Sequence, residues 1–91
     1  MAIRWSSEAA DDLQRHRYIR RDNPIAARRV ATEIYERAVA SLNAFPYSGR
    51  PGRVQGTREL PLPPLPFVVV YRVRDDAVEI ANILHGAQKW P

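Results

Sequence analysis

One stretch constrains this chain more than any other. Phe67-Val68-Val69-Val70-Tyr71-Arg72-Val73-Arg74 is a β-branched and aromatic run, and Ala77 to Leu84 is a second run of that kind after Asp75-Asp76. Such runs read as strands, and the two aspartates between them read as a tight turn. With those turn residues, Arg74 is expected opposite Ala77, Arg72 opposite Glu79, Val70 opposite Ala81 and Val68 opposite Ile83. Residues opposed in this way share a face of the sheet. One face then carries Phe67, Val69, Tyr71, Val73, Val78, Ile80 and Leu84, and is the expected core. The other carries Val68, Val70, Arg72, Glu79, Ala81 and Ile83, reaching His85 at its end.

The core face needs a cover, and the first half of the chain supplies two helices. Ala2 to Trp5 alternates weakly, as a short strand does. Ser6 or Ser7 can cap a helix reaching about Arg21, with Glu8, Asp11 and Asp12 early and arginines late, in the order that suits the helix dipole. Asp22-Asn23-Pro24 ends it and starts the next, with Asn23 as cap and Pro24 at the first helical position. Val30, Ile34, Ala38 and Leu42 keep the helical period to about Asn43, and Pro46 forces a stop. So short a break implies two antiparallel helices. Pro46 to Thr57 is a Gly/Pro loop, and Arg58 to Leu62 is a short strand that Pro61, Pro63, Pro64 and Pro66 keep at an edge. The expected fold is α+β: an N-terminal short strand, then an antiparallel helical hairpin packed on one face of a small antiparallel sheet, in the order β-α-α-β-β-β.

At 91 residues the chain is expected to be a single domain, 1–91. It has no cysteine, so thiol catalysis, disulfide frameworks and zinc thiolate sites are excluded. The longest apolar run, Phe67 to Tyr71, is far short of the ~20 residues of a membrane helix. Met1 to Asp12 shows no apolar signal-peptide core. The expectation is a soluble, cytoplasmic protein without membrane contact, metal or cofactor. Fourteen basic residues against ten acids give +4, and all but Lys89 are arginines. Arginine's planar fork suits phosphates and carboxylates. The excess can serve nucleic acid, an acidic protein, or solubility alone.

The second sheet face is the informative one. Half apolar and left uncovered by two helices, it offers Val68, Val70 and Ile83, edged by Arg72, as a partner site. Alternatively the tail folds over it with Trp90. Arg50 and Arg53 in the loop and Arg58 at the strand start either bind a partner or are solvated charge. His85 either moves a proton, since its unperturbed pKa lies near neutrality, or bonds a backbone carbonyl. Arg72 and Glu79, facing each other, are explained by a salt bridge. His16 lies on the inner stripe of the first helix.

Several segments together resemble a known family. Trp5-Ser6 with Ala9 and Asp12-Leu13, Asp22-Asn23-Pro24 before an Ala/Val/Ile helix, and Gly49-Arg50-Pro51-Gly52-Arg53-Val54 through Gly56-Thr57-Arg58-Glu59-Leu60 are similar to RelE/ParE toxins. So are Phe67 to Val73 and the ending Ile83-Leu84-His85-Gly86-Ala87-Gln88. The likeness spans nearly the whole chain. It implies the toxin of a type II toxin–antitoxin system, with roles in growth inhibition and plasmid stabilisation. A cognate antitoxin would neutralise it by wrapping an acidic, apolar segment round it. Direct sequence-specific DNA binding is not expected, since the antitoxin usually supplies that contact.

The superfamily divides by target: RelE-like members cut mRNA in the ribosome, and ParE-like members poison DNA gyrase. A nuclease here would use His85 with Arg58 and Arg72, and Glu59 or Glu79 as base. RelE-like nucleases of the YoeB type carry an arginine where Val68 stands, a closing His-Tyr and a loop glutamate. This chain has none of these. The resemblance therefore points to the ParE-like branch, a gyrase-binding toxin and not an enzyme, with the ribosome-dependent endoribonuclease as the alternative. The expected antitoxin- or target-binding set is Arg50, Arg53, Arg58, Val68, Val70, Arg72, Ile83, His85 and Trp90.

Overall fold

The structure is a computed structural model that describes residues 1–15 and 24–86. The end of the first helix, the Asn23 cap, His16 and Trp90 lie outside the described residues. Strand β1 (Ala2–Trp5) leads into helix α1 (Ser7–Arg15), and helix α2 (Pro24–Ala44) follows. Strands β2 (Arg50–Pro51), β3 (Arg58–Pro61), β4 (Phe67–Arg74) and β5 (Ala77–His85) complete the chain. The sheet order is β1-β5-β4-β3-β2. It is antiparallel from β2 through β5, and β1 joins the edge parallel to β5. The expected α+β architecture is present. The two-residue β2 inside the Gly/Pro loop is an addition to it, and the parallel β1 makes mixed a sheet that was expected to be antiparallel.

Local chemistry accounts for the ends of these elements. The Ser6 hydroxyl accepts from the Ala9 N–H at 3.0 Å, making Ser6 the α1 cap, and donates to the Ala81 carbonyl at 2.8 Å. Asp75 and Asp76 both adopt positive φ, 54° and 56°. Two such residues in a row give the turn whose twist matches a hairpin, and aspartate tolerates that conformation.

The core lies between the helices and one sheet face. Ala9 of α1 and Ile34, Ala38 and Leu42 of α2 pack with Leu62, Phe67, Val69, Tyr71, Val78, Ile80 and Ile83. Burial of this apolar surface is the main favourable term for a chain this small. Tyr71 is wholly buried, and its hydroxyl accepts from the Gly49 N–H at 2.8 Å. Gly49 has no room for a side chain, because a Cβ there would stand 2.7 Å from that hydroxyl. Arg37 of α2 ties down the β3–β4 connection, donating to the carbonyls of Leu62 (2.9 Å) and Pro63 (2.8 Å).

The hairpin register departs from expectation halfway along. Arg74↔Ala77, Arg72↔Glu79 and Tyr71↔Ile80 pair as alternation requires. A bulge then shifts the pairing to Val70↔Asn82, Val69↔Ile83, Val68↔Leu84 and Phe67↔His85. The extra residue, Ala81, reverses the faces of everything after it. Ile83 therefore belongs to the core, and Leu84 moves to the far face. His85 comes to the helix side, its ring edge-on to Phe67 at 5.6 Å.

Candidate functional site

The sheet face turned away from the helices can be read row by row from the pairings. One row holds Arg74, Ala77 and Ala2, and the next holds Arg72, Glu79 and Arg4. The third holds Arg50, Glu59, Val70 and Asn82, and the last holds Pro61, Val68 and Leu84. Arg53 reaches the third row from the loop, its Nε 3.6 Å from Glu59. Among the described residues this face gathers five arginines against two glutamates.

Glu59 organises the β2 side of this face. Its side chain is only 2% exposed, while those of Arg50 and Arg53 are about half exposed. Arg50 donates to Oε1 at 3.2 Å, and the Arg53 backbone N–H donates to Oε2 at 3.0 Å. The Arg53 N–H, and then the Arg50 guanidinium, hold the carboxyl below its ordinary value of 4.5 against the opposing effect of burial. An ionised, doubly bonded carboxylate is a weak base. Its work is to fix two arginine heads and the loop between them. Thr57 completes that loop, accepting the Gly52 N–H at 2.8 Å through its carbonyl.

The other glutamate departs from the sequence expectation. Glu79 faces Arg72 in register, yet its carboxylate pairs with Arg74 at 2.9 Å. Long side chains reach diagonal neighbours on an antiparallel face, and Arg74 does so here. Arg72 and Arg4 flank the pair and raise the positive charge of this end.

The expected apolar patch is not exposed. Val70 and Ile83 are both fully buried, Ile83 on the helix side because of the bulge, and only Val68 of the three keeps partial exposure. Val70 instead lies in the row of the buried Glu59, and Leu84 beside Val68 is buried as well. The accessible character of the face is thus arginine rather than aliphatic.

The groups expected to form a nuclease centre do not meet. Arg58 shares the helix side with Tyr71, while Arg72, the next position along β4, points to the far face. His85 is on the helix side at the Phe67 end. Arg58 and His85 are separated by four residues along β4 and by two strand spacings, roughly 13 Å and 10 Å. The Arg58 head is moreover committed, donating to the carbonyls of Tyr47 (3.1 Å) and Gly49 (3.0 Å) with its Cζ 5.2 Å from the Tyr47 ring centre. Among the described residues no group of acids and histidines could hold a metal ion.

Residues 3–90 match the family model of the ParE toxin of the type II toxin–antitoxin system, parDE. The chain belongs to the ParE toxin family. This ParE-family chain is 44% identical over 90 residues to the Sinorhizobium fredii protein Y4kP, covering 98% of itself and 92% of that relative. It is 38% identical over 85 residues to toxin RelE2 of Caulobacter vibrioides, with coverages of 92% and 93%. Among solved structures it resembles a chain of the chromosomal ParDE system of P. aeruginosa, with a TM-score of 0.81 and 31% identity over 93% of this chain and 95% of that one.

Three features of the ParE-family chain were not visible as functional in its residues. Asp12 of α1 accepts the Ile83 N–H at 2.8 Å and the Asn82 amide at 3.3 Å, completing the β5 edge beyond the end of β1. Glu59 is an organiser of arginines and not a base. Phe45 and Tyr47, next to the α2 end, are 69% and 60% exposed. The last had a signal in the sequence, two aromatics either side of the proline that stops α2. No helix among the described residues is long and apolar enough to cross a membrane.

Proposed function

We propose that this ParE-family toxin acts in the cytoplasm by binding and poisoning DNA gyrase, and that a cognate antitoxin neutralises it. The antitoxin would lay an acidic segment over the face carrying Arg4, Arg50, Arg53, Arg72 and Arg74, beside Val68. One observation carries the choice of gyrase over mRNA: Arg58, Arg72 and His85 occupy two faces and two ends of the sheet. Acid–base cleavage of RNA needs a base, an acid and a phosphate-holding cation round one atom. A binding toxin needs only a shaped, charged surface. The likeness to the P. aeruginosa ParDE chain supports the same reading, while the likeness to toxin RelE2 of Caulobacter vibrioides supports the endoribonuclease alternative.

Expression of the chain without antitoxin tests it. The expected outcome is DNA-damage signalling and stabilised double-strand breaks, with bulk mRNA intact. His85→Ala should leave growth arrest in place, whereas a nuclease relying on that imidazole would lose ~10²-fold or more of its activity. Rapid mRNA cleavage on intact DNA, abolished by His85→Ala, would overturn the proposal.

A further inference from the structure

The outward face of α2 carries its charges in an order that does little for the helix itself. Ile25, Arg28, Arg29, Thr32, Glu33 and Glu36 follow helical spacing on the side opposite Ile34, Ala38 and Leu42 of the core, and all six are exposed. Both bases come first and both acids later, the reverse of the order that the helix dipole favours. The first turn has no acid and the last turn no base. Like charges also stand together, Arg28 beside Arg29 and Glu36 one turn after Glu33. The helix relieves one of the four, Glu33, which meets Arg37 at 3.8 Å. Among the described residues Arg28, Arg29 and Glu36 have no ion pair.

That order is complementary to itself. A second α2 laid antiparallel, centred between Thr32 and Glu33, sets Arg29 of each copy against Glu36 of the other, and a two-fold axis makes the pair twice. The same placement brings Ile25 to Ala40 and Arg28 to the ring of Tyr35 across the axis. Ile25 is 64% exposed and Tyr35 48%, and Trp5 stacks on Tyr35 at 5.3 Å, which fixes that ring. We propose that two copies of this chain pair antiparallel through the outward face of α2. The face balances two arginines against two glutamates, so a uniformly charged ligand, whether nucleic acid or an acidic segment, meets attraction at one end and repulsion at the other. A second copy meets the opposite sign at both ends. The net charge of +4 is not an obstacle here. Among the described residues, α1 adds only Glu8 and Asp11 to the exposed charges of the helix layer, and five arginines lie on the far sheet face. Those arginines are a helix diameter of about 10 Å and the sheet away, beyond the ~8 Å over which physiological salt screens charge. One helix from each copy makes a small interface, so a weak dimer is expected, with a Kd of roughly 10–100 µM.

Sedimentation equilibrium of the purified full chain, at concentrations spanning that range, tests the pairing. Arg29→Glu and Glu36→Arg should each weaken association at least about 10-fold, because each sets like charges together twice. Mixed in equal amounts, the two single variants should associate again, since each then supplies the sign that the other needs at both contacts. The double variant Arg29→Glu/Glu36→Arg should self-associate as the wild type does. Mixing also separates lost pairing from lost folding, as an unfolded variant is not rescued by its counterpart. A wild-type chain that stays monomeric throughout would overturn the proposal, and so would a dimer that both single variants leave intact. Single variants that remain monomeric when mixed would overturn it as well.

Discussion

Replacing Glu59 by glutamine keeps the shape of the side chain and removes the charge that ties Arg50 and Arg53 to β3. Two polar links are at stake, the Arg53 N–H at 3.0 Å and the Arg50 guanidinium at 3.2 Å. Hydrogen bonds to a charged group contribute ~1.5–3 kcal/mol each. The arginine side chains are about half exposed, so solvent and salt screen the ion-pair part, and the backbone bond dominates. A net loss of about 2 kcal/mol is expected. For a domain of this size that lowers the melting temperature by roughly 8–16 °C. Circular dichroism melts across pH give a second reading. The folded carboxyl titrates below its ordinary 4.5, so its stabilisation is fully present above that value and is lost as pH falls through the folded value. The gap between wild type and Glu59→Gln should be wide at pH 7, narrow below about pH 4.5 and largely close in stronger acid. A gap under about 2 °C at pH 7, or one that acid leaves unchanged, would refute the reasoning.

Two further substitutions probe the frame around the site. Asp12→Ala strips the acceptor from the Ile83 N–H, costing about 1–2 kcal/mol, and amide exchange at Ile83 should accelerate; unchanged protection there would dismiss the clamp. Tyr71→Phe leaves the Gly49 N–H without its acceptor in a buried setting, and urea unfolding should show a loss of ~1–3 kcal/mol; a neutral result would mean that water replaces the hydroxyl.

The far face shows where local reading succeeds and where it stops. The Arg74↔Ala77 and Arg72↔Glu79 pairs follow from the turn alone, because a two-residue turn sets the first rungs of its ladder. Below Tyr71↔Ile80 the same arithmetic fails by one residue. A trace of this was present in the residues: Val78 and Ile80 are two apart, but the next core residue, Ile83, is three further on. That odd spacing is what a bulge leaves in a pattern. The arginines of the site were all legible as candidates except Arg4 and Arg74, whose position depends on β1 joining β5 and on the diagonal reach to Glu79.

The residues by themselves placed a helix start at Ser6 or Ser7, the Asp75-Asp76 turn, every strand but β2, and the helical stripe, since each rests on neighbours within a few positions. They determined the family likeness too, through the order of short segments. Tertiary structure alone decided which side Ile83 and His85 face, that Val70 is sealed, and that Glu59 binds two arginines. These depend on groups brought together by folding, such as Asp12 and Ser6 meeting β5 from about seventy positions away. Exposure is likewise a property of the assembled surface: Phe45 and Tyr47 are greasy in any conformation, but only the pinned loop keeps them in water.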